Sequence, residues 1–177
     1  MKQSVVMLVV SLLATSILAA DTELPAEIAV LLKAAGAVSY SHKEAYGGGV
    51  DDMYIGYDKD SKPVVGIAGK KTKTYKEATA IISVVPSEGK YKISAAEIPD
   101  IETFHGKSKD LAKNALKDIT GKIIGTEKDA KGIFDGITGA TKYLQAIYLS
   151  YSVMASKVIK ELDAKPAWKI TALPTDQ

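Results

Sequence analysis

The chain has no cysteine and no arginine, since all 23 of its basic residues are lysine. Without a thiol it can form no disulfide, thiolate nucleophile, iron–sulfur cluster, c-type haem link, cysteine-borne lipid anchor or cysteine zinc site. Any redox chemistry must therefore use a borrowed group. Histidine is scarce as well: His42 and His105 are the only two, which argues against a histidine metal centre or a haem held by two histidines. Long charge runs are missing, and 23 basic residues against 21 acidic ones leave a formal charge of +2. That surplus, with no basic stripe interleaved with aromatics, argues against a partner recognised by neutralising many phosphates, and so against nucleic acid. The chain also lacks a Walker loop, a Rossmann fingerprint, a serine elbow and a paired-carboxylate motif. What remains is 177 residues, 46% hydrophobic and 25% charged, the profile of one ordinary globular domain.

Part of the hydrophobic fraction belongs to the N-terminus, where 14 of the first 20 residues are apolar. Lys2 supplies a basic start, Val5 to Leu18 an apolar stretch and Ala19-Ala20 a small-residue end before Asp21, the order of a secretory signal peptide. Residues 1–20 are read as that signal and residues 21–177 as a single domain, placed in the periplasm or elsewhere outside the cytoplasm after cleavage. Leu18 stands where a small residue is usual, so an uncleaved N-terminal anchor is the alternative, although Val5 to Ala20 is shorter than the roughly 20 residues that span a bilayer. Removal of the signal leaves 157 residues and takes Lys2, lowering the formal charge from +2 to +1. A chain of that length can build its own core without disulfides.

Along the mature chain, Leu24, Ile28, Leu31, Leu32 and Ala35 recur at helical spacing behind Pro25, with Gly36 at the expected end. Residues 39–52 hold three consecutive glycines and few aliphatics and read as a loop. Strands follow at Met53 to Tyr57 and Pro63 to Ala68, a hairpin around Asp58-Lys59-Asp60-Ser61-Lys62, then at Ala78 to Val85 and Lys90 to Ile98. The Asp58 and Asp60 spacing lacks the glycine and distant glutamate of a calcium loop and reads as a turn. Leu111, Ala115, Leu116 and Ile119 predict a helix from Ser108 to Ile119, and Lys122 to Ile124 a short strand. Leu144, Ile147, Tyr148, Tyr151, Met154, Ala155, Val158, Ile159 and Leu162 predict a helix of about twenty residues whose stripe is core, ended by Pro166. Consecutive strands joined by short turns give an α+β fold: an antiparallel sheet with segregated helices and a long C-terminal helix.

Immediately before that helix stands Asp135-Gly136-Ile137-Thr138-Gly139-Ala140-Thr141. Glycines permit close backbone approach, and the unpaired amides and dipole of a helix start favour an anion such as phosphate. The plainer alternative is that Thr138 or Thr141 caps the helix and the glycines are loop residues. The residues also resemble the signature Asp-x-x-[Ser/Thr]-Gly-Ala-Thr, by which a flavin transferase recognises FMN-binding domains such as the periplasmic subunits of Rnf and sodium-pumping NADH:quinone oxidoreductase complexes. Asp135, Thr138, Gly139, Ala140 and Thr141 fill all the specified positions, a coincidence expected on the order of once in a thousand chains of this length. The resemblance covers the chain from about Met53 to Leu162 and outside the motif rests on element order.

The resemblance implies FMN held by a phosphoester to Thr141, with the flavin transferase using FAD as donor and releasing AMP. Thr141 is then an acceptor, Gly139 and Ala140 allow close approach, Thr138 bonds or caps, Asp135 shapes the turn or is read by the transferase, and Gly136 is a further cofactor-binding candidate in the same turn. Lys142 stands where Ser or Thr is common and its charge can offset that of the phosphate. The run Glu102-Thr103-Phe104-His105-Gly106 resembles the family's Glu-Thr-Pro-Gly run without its proline; Phe104 and His105 are candidates to touch a flavin ring, or an ordinary exposed loop. Tyr46, Tyr54, Tyr57, Tyr75, Tyr143 and Trp168 are candidates to stack on it, or ordinary core and surface. The implied function is an electron-transfer flavoprotein or subunit rather than a self-contained enzyme, with no catalytic or metal-ligating residue assigned. Its implied redox partner is a protein such as a cytochrome or membrane reductase. A module binding or sensing FMN without covalent attachment is the alternative.

Overall fold

The computed structural model describes residues 24–73, 77–132 and 142–174. Helix α1 (Ala26–Ala34) begins after Pro25, whose fixed φ of −55° suits a helix entry. It closes with Gly36 N–H bonded to Lys33 O and Ala37 N–H to Leu32 O, at 2.9 and 3.1 Å, the pair of contacts that satisfies the last carbonyls of a helix. Strands β1 (Ser39–Gly47), β2 (Val50–Tyr57), β3 (Pro63–Lys73), β4 (Glu77–Ser87) and β5 (Lys90–Glu97) form a meander. A 3-10 turn (Pro99–Thr103), helix α2 (Lys107–Ile119), strand β6 (Ile123–Ile124), a second 3-10 turn (Asp129–Gly132), helix α3 (Lys142–Ala164) and strand β7 (Ile170–Ala172) complete the order. The sheet runs β6-β5-β4-β3-β2-β1-β7 with every pairing antiparallel. The fold is α+β, as the sequence predicts.

Strand periodicity sorts side chains to two cores. Met53, Ile55, Ile82, Val84 and Ile93 point to the face covered by α2 and α3, where Tyr151, Met154, Ala155, Val158 and Ile159 are fully buried. Tyr54, Val65, Ile67 and Ile81 point to the other face, where Ile28 and Leu32 of α1 dock. Helix α3 comes so close to β3 that a Cβ on Gly66 would stand 2.4 Å from Val158 Cγ1. The missing side chain there lets the helix seat on the sheet.

The segment predicted as a loop, residues 39–52, is instead β1 and the start of β2, with glycines 47 to 49 at the hairpin turn. β1 has little aliphatic content because backbone pairing with β2 holds it, and its one fully buried residue is polar: the Ser41 hydroxyl meets Tyr57 OH at 3.0 Å. A bulge between Glu44 and Gly47, with Ala45 at φ +49°, hides the strand period further. In α2 the buried residues are Ala112, Ala115 and Ile119, and Leu111 is 39% exposed because it projects about a quarter turn off that face. Phe104 is buried in the main core, whereas His105 is exposed.

Candidate functional site

The sequence-predicted site residues Asp135, Gly136, Thr138, Gly139, Ala140 and Thr141 lie outside the described residues, which reach Gly132 and resume at Lys142. The elements on either side are well anchored. Before the motif, Thr126 Oγ1 donates to Asp129 Oδ2 at 2.9 Å, Ala130 is fully buried, and Glu127 accepts from Ser156 Oγ of α3 at 3.1 Å. After it, α3 starts at Lys142, one residue beyond Thr141 in the chain. The first-turn amides of such a helix have no acceptor within it and suit a phosphate.

Helix α3 is fixed along its length by neutral tyrosines. Tyr151 OH donates to Glu97 O at 2.6 Å, and burial, with the Glu97 charge, pushes its phenol well above the ordinary range. Tyr46 OH donates to Glu161 Oε1 at 2.6 Å; burial and then that hydrogen bond push its phenol up. Trp168 packs edge-on to Tyr46 with ring centres 6.2 Å apart. Tyr148 is buried, and burial followed by the Asp118 charge raises it too.

The outer flank of α3 differs. Leu149 is 61% exposed and Val153 38%. They line a cleft of about 380 Å³ together with Glu127, Ser152, Ser156 and Lys157, within the size range of small-molecule sites. The β1–β2 turn stands beside it: a Cβ on Gly49 would lie 3.0 Å from Val153 Cγ1, and one on Gly48 3.4 Å from Lys157 Cε. The lining of the cleft is two apolar side chains, two hydroxyls, one ammonium and one carboxylate, the last accepting from Ser156 Oγ.

Of the aromatic candidates, Tyr54 and Tyr57 are core residues, Tyr46 and Trp168 pack against each other, and the side chains of Tyr75 and Tyr143 lie outside the described residues. One polar cluster is not foreseen from the sequence, because its strand reads as a loop. His42 Nε2 lies 3.0 Å from Asp52 Oδ1 while its ring stacks on Tyr54, parallel to within 1° at 4.2 Å, beside a cleft of about 180 Å³. The signal for it was the hairpin itself, which brings β1 against β2 and so Glu44 opposite Asp52. A wider cleft of about 500 Å³ lies between the C-terminal end of α1 and β3 to β5, with the Ser94 and Ser83 hydroxyls bonded at 2.8 Å on its floor. Among the described residues no cluster of three or more metal-ligating side chains occurs, and no helix is long and apolar enough to cross a membrane. No family model, no curated protein and no solved structure matches the chain.

Proposed function

We propose that the chain is an exported flavoprotein in which FMN is joined by a phosphoester to Thr141 and carries electrons in a periplasmic or membrane-associated redox chain. The observation that carries this reading is the run Asp135 to Thr141, with all specified positions of the flavin-transfer signature filled, directly ahead of Lys142, where the 23-residue α3 begins. The fold supports it: the helix behind the attachment point is clamped to the sheet by its buried stripe, so that a group held at its start has a fixed base.

Attachment joins the Thr141 hydroxyl oxygen to the FMN phosphorus of FAD. The pyrophosphate bond breaks, AMP leaves, and the hydroxyl proton is released; a separate flavin transferase supplies the active site. Thr141 is thus modified rather than catalytic. Asp135 and Thr138 present the turn to the transferase, and Gly136, Gly139 and Ala140 leave room for it. The bound FMN supplies the redox chemistry, which a chain without cysteine otherwise lacks. The N-terminal residues 1–20 direct export, and the electrons pass to or from a protein such as a cytochrome or a membrane reductase.

Coexpression of the full chain with a flavin transferase tests the reading. Flavin fluorescence should stay with the band after denaturing electrophoresis in the wild type and vanish in Thr141→Ala. Flavin that binds but dialyses away supports a non-covalent module instead, and a colourless wild type refutes both.

A further inference from the structure

We infer that the ring system of the Thr141-linked flavin rests in the cleft on the flank of α3 that runs from Leu149 to Lys157, between the Gly48-Gly49 turn and Glu127. The inference rests on the flavin reading above and adds where the ring sits. Leu149, Ser152, Val153, Ser156 and Lys157 follow one another at three- and four-residue spacing and form a single strip of the helix. Seven residues before Leu149, the same strip comes back to Lys142 to within about 20°, at a rise of about 10 Å. A group tethered at the chain position just before Lys142 therefore has one strip of α3 leading from it to the cleft.

The strip begins with the apolar Leu149 and ends with the charged Lys157. Among the described side chains of α3, Leu149 and Val153 are the large apolar ones left exposed, and they offer a surface for the dimethylbenzene end. Ser156 and Lys157 lie at the other end of the strip, with Ser152 between Leu149 and Val153, and the carbonyl-bearing ring carries its polar atoms at that end. Reduction adds negative charge at that polar end, so the Lys157 ammonium favours the reduced flavin and raises its potential. The opposing Glu127 carboxylate is engaged by Ser156 Oγ at 3.1 Å. Beside the cleft the β1–β2 turn is glycine at positions 48 and 49, and a side chain at Gly49 would already press on Val153 at 3.0 Å.

The test uses the full chain loaded by coexpressed transferase, with intact mass taken first. Iodide quenching of flavin fluorescence then reports ring exposure, and redox titration reports the potential. The paired variant Leu149→Ser with Val153→Ser alters exposed positions, so the fold is retained; it should lower the ratio of seated to free ring roughly tenfold, the loss expected from removing about one large apolar contact. Val30→Ser, an equally exposed apolar position on α1 across the sheet, should leave quenching unchanged, and Lys157→Gln should lower the potential. A loaded wild type quenched like free FMN, or a paired variant quenched like the wild type, overturns the seat while leaving the attachment intact. An unmodified Thr141 overturns both the attachment and the seat.

Discussion

Gly66→Ala tests how α3 is mounted, because everything proposed for the motif depends on that helix standing where it does. A methyl at position 66 would meet Val158 Cγ1 at 2.4 Å and Ile55 Cδ1 and Leu162 Cγ at 3.4 Å, so the first contact must open by about 1 Å to reach ordinary packing. Val158 is fully buried and, being β-branched in a helix, has one strongly preferred rotamer. It cannot swing aside, so either its torsion strains or the helix lifts. Overpacking of this kind costs about 1–3 kcal/mol, against a gain of about 0.5–1 kcal/mol from replacing a strand glycine. The net expectation is a loss of about 1 kcal/mol, or roughly 2–4 °C in Tm for a domain of this size. Val158→Ala alone should cost about 2–3 kcal/mol through lost burial and a cavity. In the double variant the new methyl enters the space that Val158 vacates, so the total should stay near 2–3 kcal/mol, a favourable coupling of about 1 kcal/mol. Urea unfolding of the four proteins, followed by Trp168 fluorescence, measures it. Additive losses would refute the close seating of α3 on β3.

Three further outcomes follow from the described contacts. Asp58 Oδ1 accepts from the backbone N–H of Asp60 and of Lys62, both at 2.9 Å, so Asp58→Ala should lower stability by about 1 kcal/mol in urea titration, whereas Asp58→Asn should retain most of it. Hydrogen bonds from Lys109 and Lys113 hold the Glu102 carboxyl down from 4.5 to about 2, so its contribution is complete above the unfolded pKa of about 4.3 and is lost as pH falls toward 2. Glu102→Gln should flatten that acid limb at low ionic strength; because the group is exposed, the difference should fade in high salt, and an unchanged acid limb at low salt would contradict the assignment. Burial, and then its hydrogen bond to Asp163, push the Tyr91 phenol up to about 12. A raised pKa stabilises below the unfolded value of about 10 and loses that contribution as pH rises through 12, so Tyr91→Phe should show a shallower decline in melting temperature between those limits.

The sheet from β2 to β5 was legible because its strands are short apolar runs, buried on both faces, and because Asp-, Ser- and Gly-containing turns follow β2 and β4. Helix α3 was legible because Tyr148, Tyr151, Met154, Ala155, Val158, Ile159 and Leu162 repeat at helical spacing and all seven are buried. β1 was not, since it is held by pairing rather than burial: Lys43 and Glu44 lie on it, and the glycines that read as a loop are its turn. The missed His42–Asp52 pair is the direct consequence. Leu111 was assigned to a buried face because periodicity over one short helix leaves the width of the stripe open; Ala112, a weaker hydrophobe, takes the core position. Phe104 looked like a residue of an open loop, yet the 3-10 turn Pro99–Thr103 folds it back under the main core. For the site, sequence supplies the motif Asp135 to Thr141, and the structure supplies its surroundings: the Asp129–Gly132 turn before it, the start of α3 after it, and the cleft along the helix flank. That cleft had no sequence signature, because Leu149 and Val153 fall outside the predicted core stripe and no pattern in the sequence brings Glu127 beside them.

The most direct measurement is the intact mass of the exported chain from a host with an active flavin transferase, followed by fragmentation of the peptide that spans residues 133–147. The account predicts a gain equal to FMN less one water, carried by Thr141 and by no other residue, on a chain that begins after residue 20. An unmodified Thr141 in that host, or the same mass gain on Thr138, would contradict it.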